Sequence, residues 1–250
     1  MPSEPAPVGR AARPPQPPPV VCVGVVKEYA TATGTVLALK GVDAAFPAGQ
    51  VTAVVGPSGS GKSSLLRILA CVDRPTTGSV LLGGVDVAAL GARGRRRVRR
   101  RQVGYVFQQP GDNLLPYLTA RGQLELGAEL RGRVGFGEGA PSSPMGRGQP
   151  DEVERLLSAL GLEHRAGHRP GQLSGGEQQR LAFAAAVIGG PALVVADEPT
   201  AELDSEAGER LMQAVLGLRD QGTSLVLSSH DPVVTGAVDG IVRLNDGEVS

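Results

Sequence analysis

Cysteine is nearly absent from this chain of 250 residues: only Cys22 and Cys71 occur. Two cysteines cannot build a disulfide framework, nor a zinc site by themselves. Both lie in apolar segments, so small buried core residues are the expected reading. Long hydrophobic runs are also missing, and nothing approaches the roughly 20 apolar residues that cross a bilayer. Arg10 and Arg13 stand near the N-terminus with no apolar signal core behind them, so a cytoplasmic protein is expected. Net charge is absent too, with 25 Lys and Arg against 25 Asp and Glu. Bulk electrostatics therefore gives no reason to expect nucleic acid as a partner. The length suits one large domain with a real core, or one domain with a lobe.

Met1 to Pro19 is dense in proline and lacks bulky apolar residues, which predicts a disordered or polyproline-like tail. From Val20 onward the pattern changes. Val20 to Tyr29, Val42 to Phe46 and Val51 to Val55 read as strands. Ser79 to Leu82, a Gly83-Gly84 turn and Val85 to Val87 read as a hairpin, and Val103 to Phe107 as a further strand. Thr119 to Leu130 and Asp151 to Leu160 carry helical spacing. Between them, Arg131 to Pro150 is rich in Gly, Pro and Ser and reads as a mobile linker. Gly175 to Ile188 and Ser205 to Asp220 read as helices, and Ala192 to Ala196, Ser224 to Ser228 and Ile241 to Leu244 as strands. No internal repeat is visible.

One segment decides the chemistry. Gly56-Pro57-Ser58-Gly59-Ser60-Gly61-Lys62-Ser63 fits the phosphate-loop pattern G-x-x-x-x-G-K-[S/T], between an apolar strand and the helical run that begins at Ser64. Its glycines let successive N–H groups turn toward one anion, and the following helix adds its positive end. Lys62 brings an ammonium to the phosphates, and Ser63 offers a hydroxyl to Mg²⁺. The chain has 36 glycines, which makes a chance match easier, so the motif needs company. Strands alternating with helices around it predict an α/β fold, a P-loop NTPase core of mostly parallel sheet.

Company is present. Leu193 to Ala196 is an apolar run ending in Asp197-Glu198, and ligand sites in open α/β sheets gather at such strand ends. Asp197 can hold Mg²⁺, and Glu198 can polarise a water aimed at the γ-phosphorus. Taken alone, the pair is equally a solvated start of a loop. Leu173-Ser174-Gly175-Gly176-Glu177-Gln178-Gln179-Arg180 places a serine and two glycines before a helix. This is either a second anion cradle or an ordinary serine N-cap. Two cradles do not easily serve one nucleotide in one chain, but two chains head to tail can share them.

In this order, these motifs resemble the nucleotide-binding subunit of an ATP-binding cassette (ABC) transporter, from about Val20 to the end. Leu173 to Arg180 is similar to the family signature. Val103-Gly104-Tyr105-Val106-Phe107-Gln108-Gln109, Asn113-Leu114-Leu115-Pro116 and Ala196-Asp197-Glu198-Pro199-Thr200 are similar to the lipoprotein-release, macrolide-efflux and cell-division branch. The resemblance implies an antiparallel β subdomain beside the core and an inserted helical subdomain at about 109–172. It implies ATP and Mg²⁺ as cofactors, a second copy of the chain and an integral membrane permease as partners, and a place on the inner face of the membrane.

The resemblance also implies roles. Tyr29 would stack on adenine, although a core aromatic at a strand end is the plainer alternative. Residues 56–63 with Ser64 would hold the phosphates, and Ser63, Gln108 and Asp197 the metal. Ser174, Gly175 and Gly176 of the second copy would close over the γ-phosphate, and Asp204 would join the two subunits. Glu198, His230, Gln108 and Lys62 would be catalytic. Leu114, Leu115, Pro116, Tyr117 and Leu118 are expected to border the groove that receives the permease.

Some positions depart from the family. Ser64 replaces a threonine, Gly240 stands where arginine often follows Asp239, and Ala184-Ala185-Ala186 stands where Ala-Arg-Ala is usual, so an arginine contact is expected to be missing. His164 and His168 match no motif. The arginine-dense run Arg93 to Arg101 carries no interleaved aromatics, which favours a solvated helix over nucleic-acid binding, with anionic lipid headgroups between the two. The leading expectation is ATP-driven transport. The alternative is a nucleotide-gated regulatory ATPase that signals to a membrane complex without moving cargo.

Overall fold

Leu193-Val194-Val195-Ala196 contains no polar residue because it has no solvent face. In the computed structural model it is a strand whose four residues are all buried. Leu193 and Val195 point to one core, Val194 and Ala196 to the other, as period-2 alternation requires of a strand covered on both sides. The structure describes residues 20–32, 34–132, 150–201 and 203–250. The proline-dense tail 1–19 and most of the predicted linker, 133–149, lie outside them.

Among the described residues, ten strands form two sheets. β1 (Val20–Thr31), β2 (Gly34–Phe46), β4 (Thr77–Leu82) and β5 (Val85–Asp86) make an antiparallel sheet in the order β2-β1-β4-β5. β3 (Val51–Val55), β6 (Val103–Val106), β7 (Leu193–Ala196), β8 (Ser224–Ser228), β9 (Gly240–Asn245) and β10 (Glu248–Val249) make the second, in the order β10-β9-β3-β8-β7-β6. Its pairs β3–β8, β3–β9, β7–β8 and β6–β7 are parallel. The helix α1 (Lys62–Leu69) buries Leu65, Leu66, Ile68 and Leu69 in the core that the two sheets share. β2 is longer than the sequence suggests. Val36 and Leu37 are apolar but exposed, and pairing with β1 down to Thr31↔Gly34 holds that arm in the sheet.

The other core packs helices on the far face of the parallel sheet. They are α3 (Ala120–Gly132), α4 (Pro150–Ala159), α5 (Gly175–Val187) and α6 (Ser205–Asp220). α2 (Ala92–Gln102) packs against β6 and α3. A six-residue helix, α7 (Pro232–Ala237), was not legible: Val, Thr and Gly are poor helix formers, and only Pro232 at its first position hints at it.

Arg131 corrects the linker reading. It extends α3, and its buried guanidinium donates to Ile188 O (2.8 Å), Ala186 O (2.9 Å) and Val103 O (3.4 Å). Burial pushes its pKa down to about 10, so it stays charged at neutral pH. Glu152, on the first turn of α4, is also buried and accepts from Gly189 N–H at 2.9 Å. Both edges of the Gly/Pro/Ser segment are thus tied to the end of α5. Arg131 of α3 thus brings a guanidinium to the carbonyl of Ala186, within the Ala184–Ala186 run. The cysteines behave as core residues: burial pushes Cys22 up to about 12 and Cys71 up to about 11, so neither is a thiolate at neutral pH.

Candidate active site

The parallel order brings the separate motifs together. β3, β8, β7 and β6 are consecutive neighbours, with Val54 beside Ser228, Leu227 beside Ala196, and Ala196 beside Val106. The phosphate loop leaves β3, His230 follows β8, Asp197-Glu198 follows β7 and Gln108 follows β6. All four therefore lie along one edge of the sheet, at the C-terminal strand ends.

Two glycines of the loop are required by the protein itself. A Cβ on Gly56 would lie 2.0 Å from Leu244 O, and one on Gly61 would lie 2.4 Å from Ala38 O. The loop is propped from behind by the turn after β9, where Gly247 N–H donates to Ser60 O at 3.0 Å. Gly59, at φ +79°, would meet nothing. Lys62 Nζ folds back to donate to Gly56 O (2.8 Å) and Pro57 O (3.0 Å). No side chain caps the N-terminus of α1, which leaves its first N–H groups available to an anion.

Asp197 is 4 % exposed and accepts from Ser228 Oγ at 2.7 Å, while Ser228 Oγ accepts from Glu198 N–H at 2.8 Å. One fully buried hydroxyl therefore sets both acidic residues. Glu198 has a left-handed backbone, φ 48°, a conformation unusual for a non-glycine residue and held here by its surroundings. Its carboxylate lies 3.2 Å from His230 Nδ1, whose ring is largely exposed. Sequence motifs do not mark Ser228 as a functional residue; its one signal is a polar residue ending an apolar strand. Ser228→Ala is expected to strand the buried Asp197 carboxylate and the half-buried Glu198 N–H, costing about 1–3 kcal/mol in urea unfolding, and to slow ATP turnover about tenfold. Wild-type stability and turnover would remove Ser228 from the site.

Gln108 and Gln109 are exposed. The loop that carries them is clamped by Asn113, which accepts from Phe107 N–H (2.8 Å) and donates to Tyr105 O (2.7 Å). Gln123 of α3 holds the next stretch through Leu115 N–H and O. Leu114 does not border a surface groove: it is buried in the helical core. Pro116 and Tyr117 are exposed, Tyr117 at 65 %.

Ser174 N-caps α5, accepting from Glu177 N–H at 3.2 Å, while Glu177 accepts from Ser174 N–H at 2.8 Å. That hydrogen bond, aided by Arg165, holds the Glu177 carboxyl below its ordinary pKa. Within one chain the motif is thus a capping box, with Ser174 and Gly175 facing solvent. Asp204 likewise caps α6, accepting from Ala207 N–H at 2.8 Å. Tyr29 is half-buried. Its hydroxyl donates to Asp73 at 3.2 Å, and the Lys27 ammonium sits 4.7 Å from its ring centre. His164 Nε2 lies 4.0 Å from the Glu177 carboxylate.

The donor set suits a hard divalent cation. Ser63 and Gln108 are exposed oxygen donors, and Asp197 adds a carboxylate. Among the described residues no cluster of three His, Cys, Asp or Glu side chains could hold a metal, so such an ion would depend on oxygens beyond the protein's carboxylates.

A family model described as ABC transporter matches residues 39–201, which span the phosphate loop, the Gln108 loop, the Ser174 motif and the paired carboxylates. The chain belongs to the ABC transporter family. It is 42 % identical over 211 residues to the macrolide export ATP-binding/permease protein MacB of Marinobacter nauticus, covering 84 % of this chain and 31 % of that protein. This cassette therefore spans about a third of the length of that relative. It is 40 % identical to an uncharacterized ABC transporter ATP-binding protein of Thermotoga maritima, covering 91 % of this chain and 92 % of that one. Among solved structures, the dimeric post-hydrolysis ATP-binding cassette MJ0796 bound to ADP and Pi superposes with a TM-score of 0.82 at 36 % identity, over 92 % of this cassette and 96 % of that chain. No described helix of the cassette is long and apolar enough to cross a membrane.

Proposed function

We propose that this chain binds and hydrolyses ATP to power a membrane transporter, working as a head-to-tail pair beneath an integral membrane permease. The observation that carries this reading is the alignment of four motif-bearing loops at adjacent strand ends, with Glu198 and His230 in contact. The MJ0796 cassette is dimeric and bound to ADP and Pi, and the MacB relative joins an ATP-binding part to a permease. Both support the assignment.

Residues 56–64 would cradle the phosphates and Tyr29 would meet the adenine. Ser63, Gln108 and Asp197 would hold Mg²⁺, which when bound neutralises phosphate charge. Glu198 would take a proton from the attacking water as its oxygen bonds to the γ-phosphorus and the bond to ADP breaks. Lys62 and His230 would stabilise charge developing on the phosphoryl oxygens. Ser174 and Gly175 face solvent and Gly176 beside them is half-buried, which suits closure of the three over the nucleotide of a second copy, with Asp204 at the joint. The helical subdomain, about 109–172, would move with Gln108, and exposed Pro116 and Tyr117 would meet the permease. The chain would then sit on the cytoplasmic face of the membrane.

Affinity purification of the tagged chain from membranes tests the partner. A large multi-spanning permease is expected to co-purify. A small membrane protein with a periplasmic coiled coil in its place would move the reading to signalling without transport.

A further inference from the structure

Seven arginines crowd α2, and no acidic residue interrupts them. The fold sorts them into two groups. Arg95 donates to Leu90 O at 2.7 Å and Arg99 to Cys71 O at 3.1 Å, both toward the protein. Val98 packs on the core from the same helix, and Arg101 is half-buried. Arg93, Arg96, Arg97 and Arg100 are exposed. Their spacing of i, i+3, i+4 and i+7 makes one stripe, about 10 Å long. None of the four has an ion-pair partner among the described residues. Arg93 with Arg97, and Arg96 with Arg100, are like charges one turn apart, which destabilises a helix. Among the described residues no ion pair to a carboxylate offsets that repulsion, in a chain whose net charge is zero.

We infer that this stripe docks on the headgroups of an anionic phospholipid bilayer. Guanidinium forks match phosphate oxygens, and a straight exposed row fits a flat field of them. Nucleic acid fits less well: α2 has no aromatic side chain for stacking. The inference rests on the reading above, which places the cassette beneath a permease and so within reach of lipid. α2 packs on β6 and α3, the elements on either side of the Gln108–Tyr117 loop, so the stripe belongs to the block that carries the exposed Tyr117.

Co-sedimentation of the full chain with vesicles tests it. Binding is expected to vesicles with about 30 % phosphatidylglycerol, to fall at about 0.5 M salt, and to be absent with phosphatidylcholine alone. At roughly fivefold per arginine, Arg93→Gln, Arg96→Gln, Arg97→Gln and Arg100→Gln together are expected to weaken binding several hundredfold. Lysine at the same four positions is expected to restore most of it. ATP turnover without vesicles is expected to be unchanged in both variants. Equal vesicle binding by the glutamine variant overturns the inference, as does equal binding to both lipid compositions. Stripe-dependent binding to duplex RNA or DNA without vesicle binding also overturns it, in favour of nucleic acid. Loss of ATP turnover in the wild type would sink the function reading and leave the vesicle result standing.

Discussion

Glu198→Gln is expected to bind ATP as the wild type does and to turn it over about a hundredfold to ten-thousandfold more slowly. The substitution keeps size and hydrogen bonding but removes the basic oxygen. The backbone N–H of residue 198 would still donate to Ser228 Oγ, so the left-handed turn would survive. The contact with His230 would remain as a neutral hydrogen bond. With the γ-phosphate uncleaved, the pair of chains should stay closed, so size-exclusion chromatography with ATP should show a stable dimer that the wild type forms only transiently. Wild-type turnover in this variant would remove Glu198 as the base. Dead turnover without a trapped dimer would leave Glu198 in place and count against the shared-nucleotide arrangement.

Lys62→Ala is expected to lose nucleotide affinity by about ten- to several-hundredfold. Charge-assisted hydrogen bonds are worth about 1.5–3 kcal/mol each, and the phosphates would lose at least one. In the structure the ammonium donates to Gly56 O and Pro57 O, so the lysine also braces the loop itself, and its loss has two routes to act, the phosphates and the fold. Thermal unfolding of the nucleotide-free variant separates the two causes. An unchanged melting temperature with lost binding assigns the effect to the phosphates. Unchanged affinity would undo the phosphate-loop reading altogether. The two variants are complementary: Lys62→Ala should weaken the binding that Glu198→Gln preserves.

Local patterns made much of this molecule legible. The phosphate loop carries its own instructions, because glycine spacing and a following apolar helix are sequence-near features. The all-apolar run before Asp197 announced a strand covered on both faces. Other features depended on distant chain. Arg131 lies among residues whose composition signals a linker, yet three carbonyls from β6 and the end of α5 hold it in a helix. Leu114 follows the exposed Gln108 loop but turns inward, because Asn113 pins that loop to Tyr105 and Phe107.

The sequence alone determined which residues carry the chemistry and in what order along the chain, since motif, period and turn are short-range properties. Only the tertiary structure decided what stands beside what. Parallel pairing puts β8 next to β7, and that adjacency makes Ser228 the partner of two acidic residues some thirty positions away. It likewise decided that Ser174 and Asp204 serve as helix caps within one chain, and which arginines of α2 turn outward. Burial and neighbouring backbone choose among the partners a polar side chain can take, and neither is local to the residue.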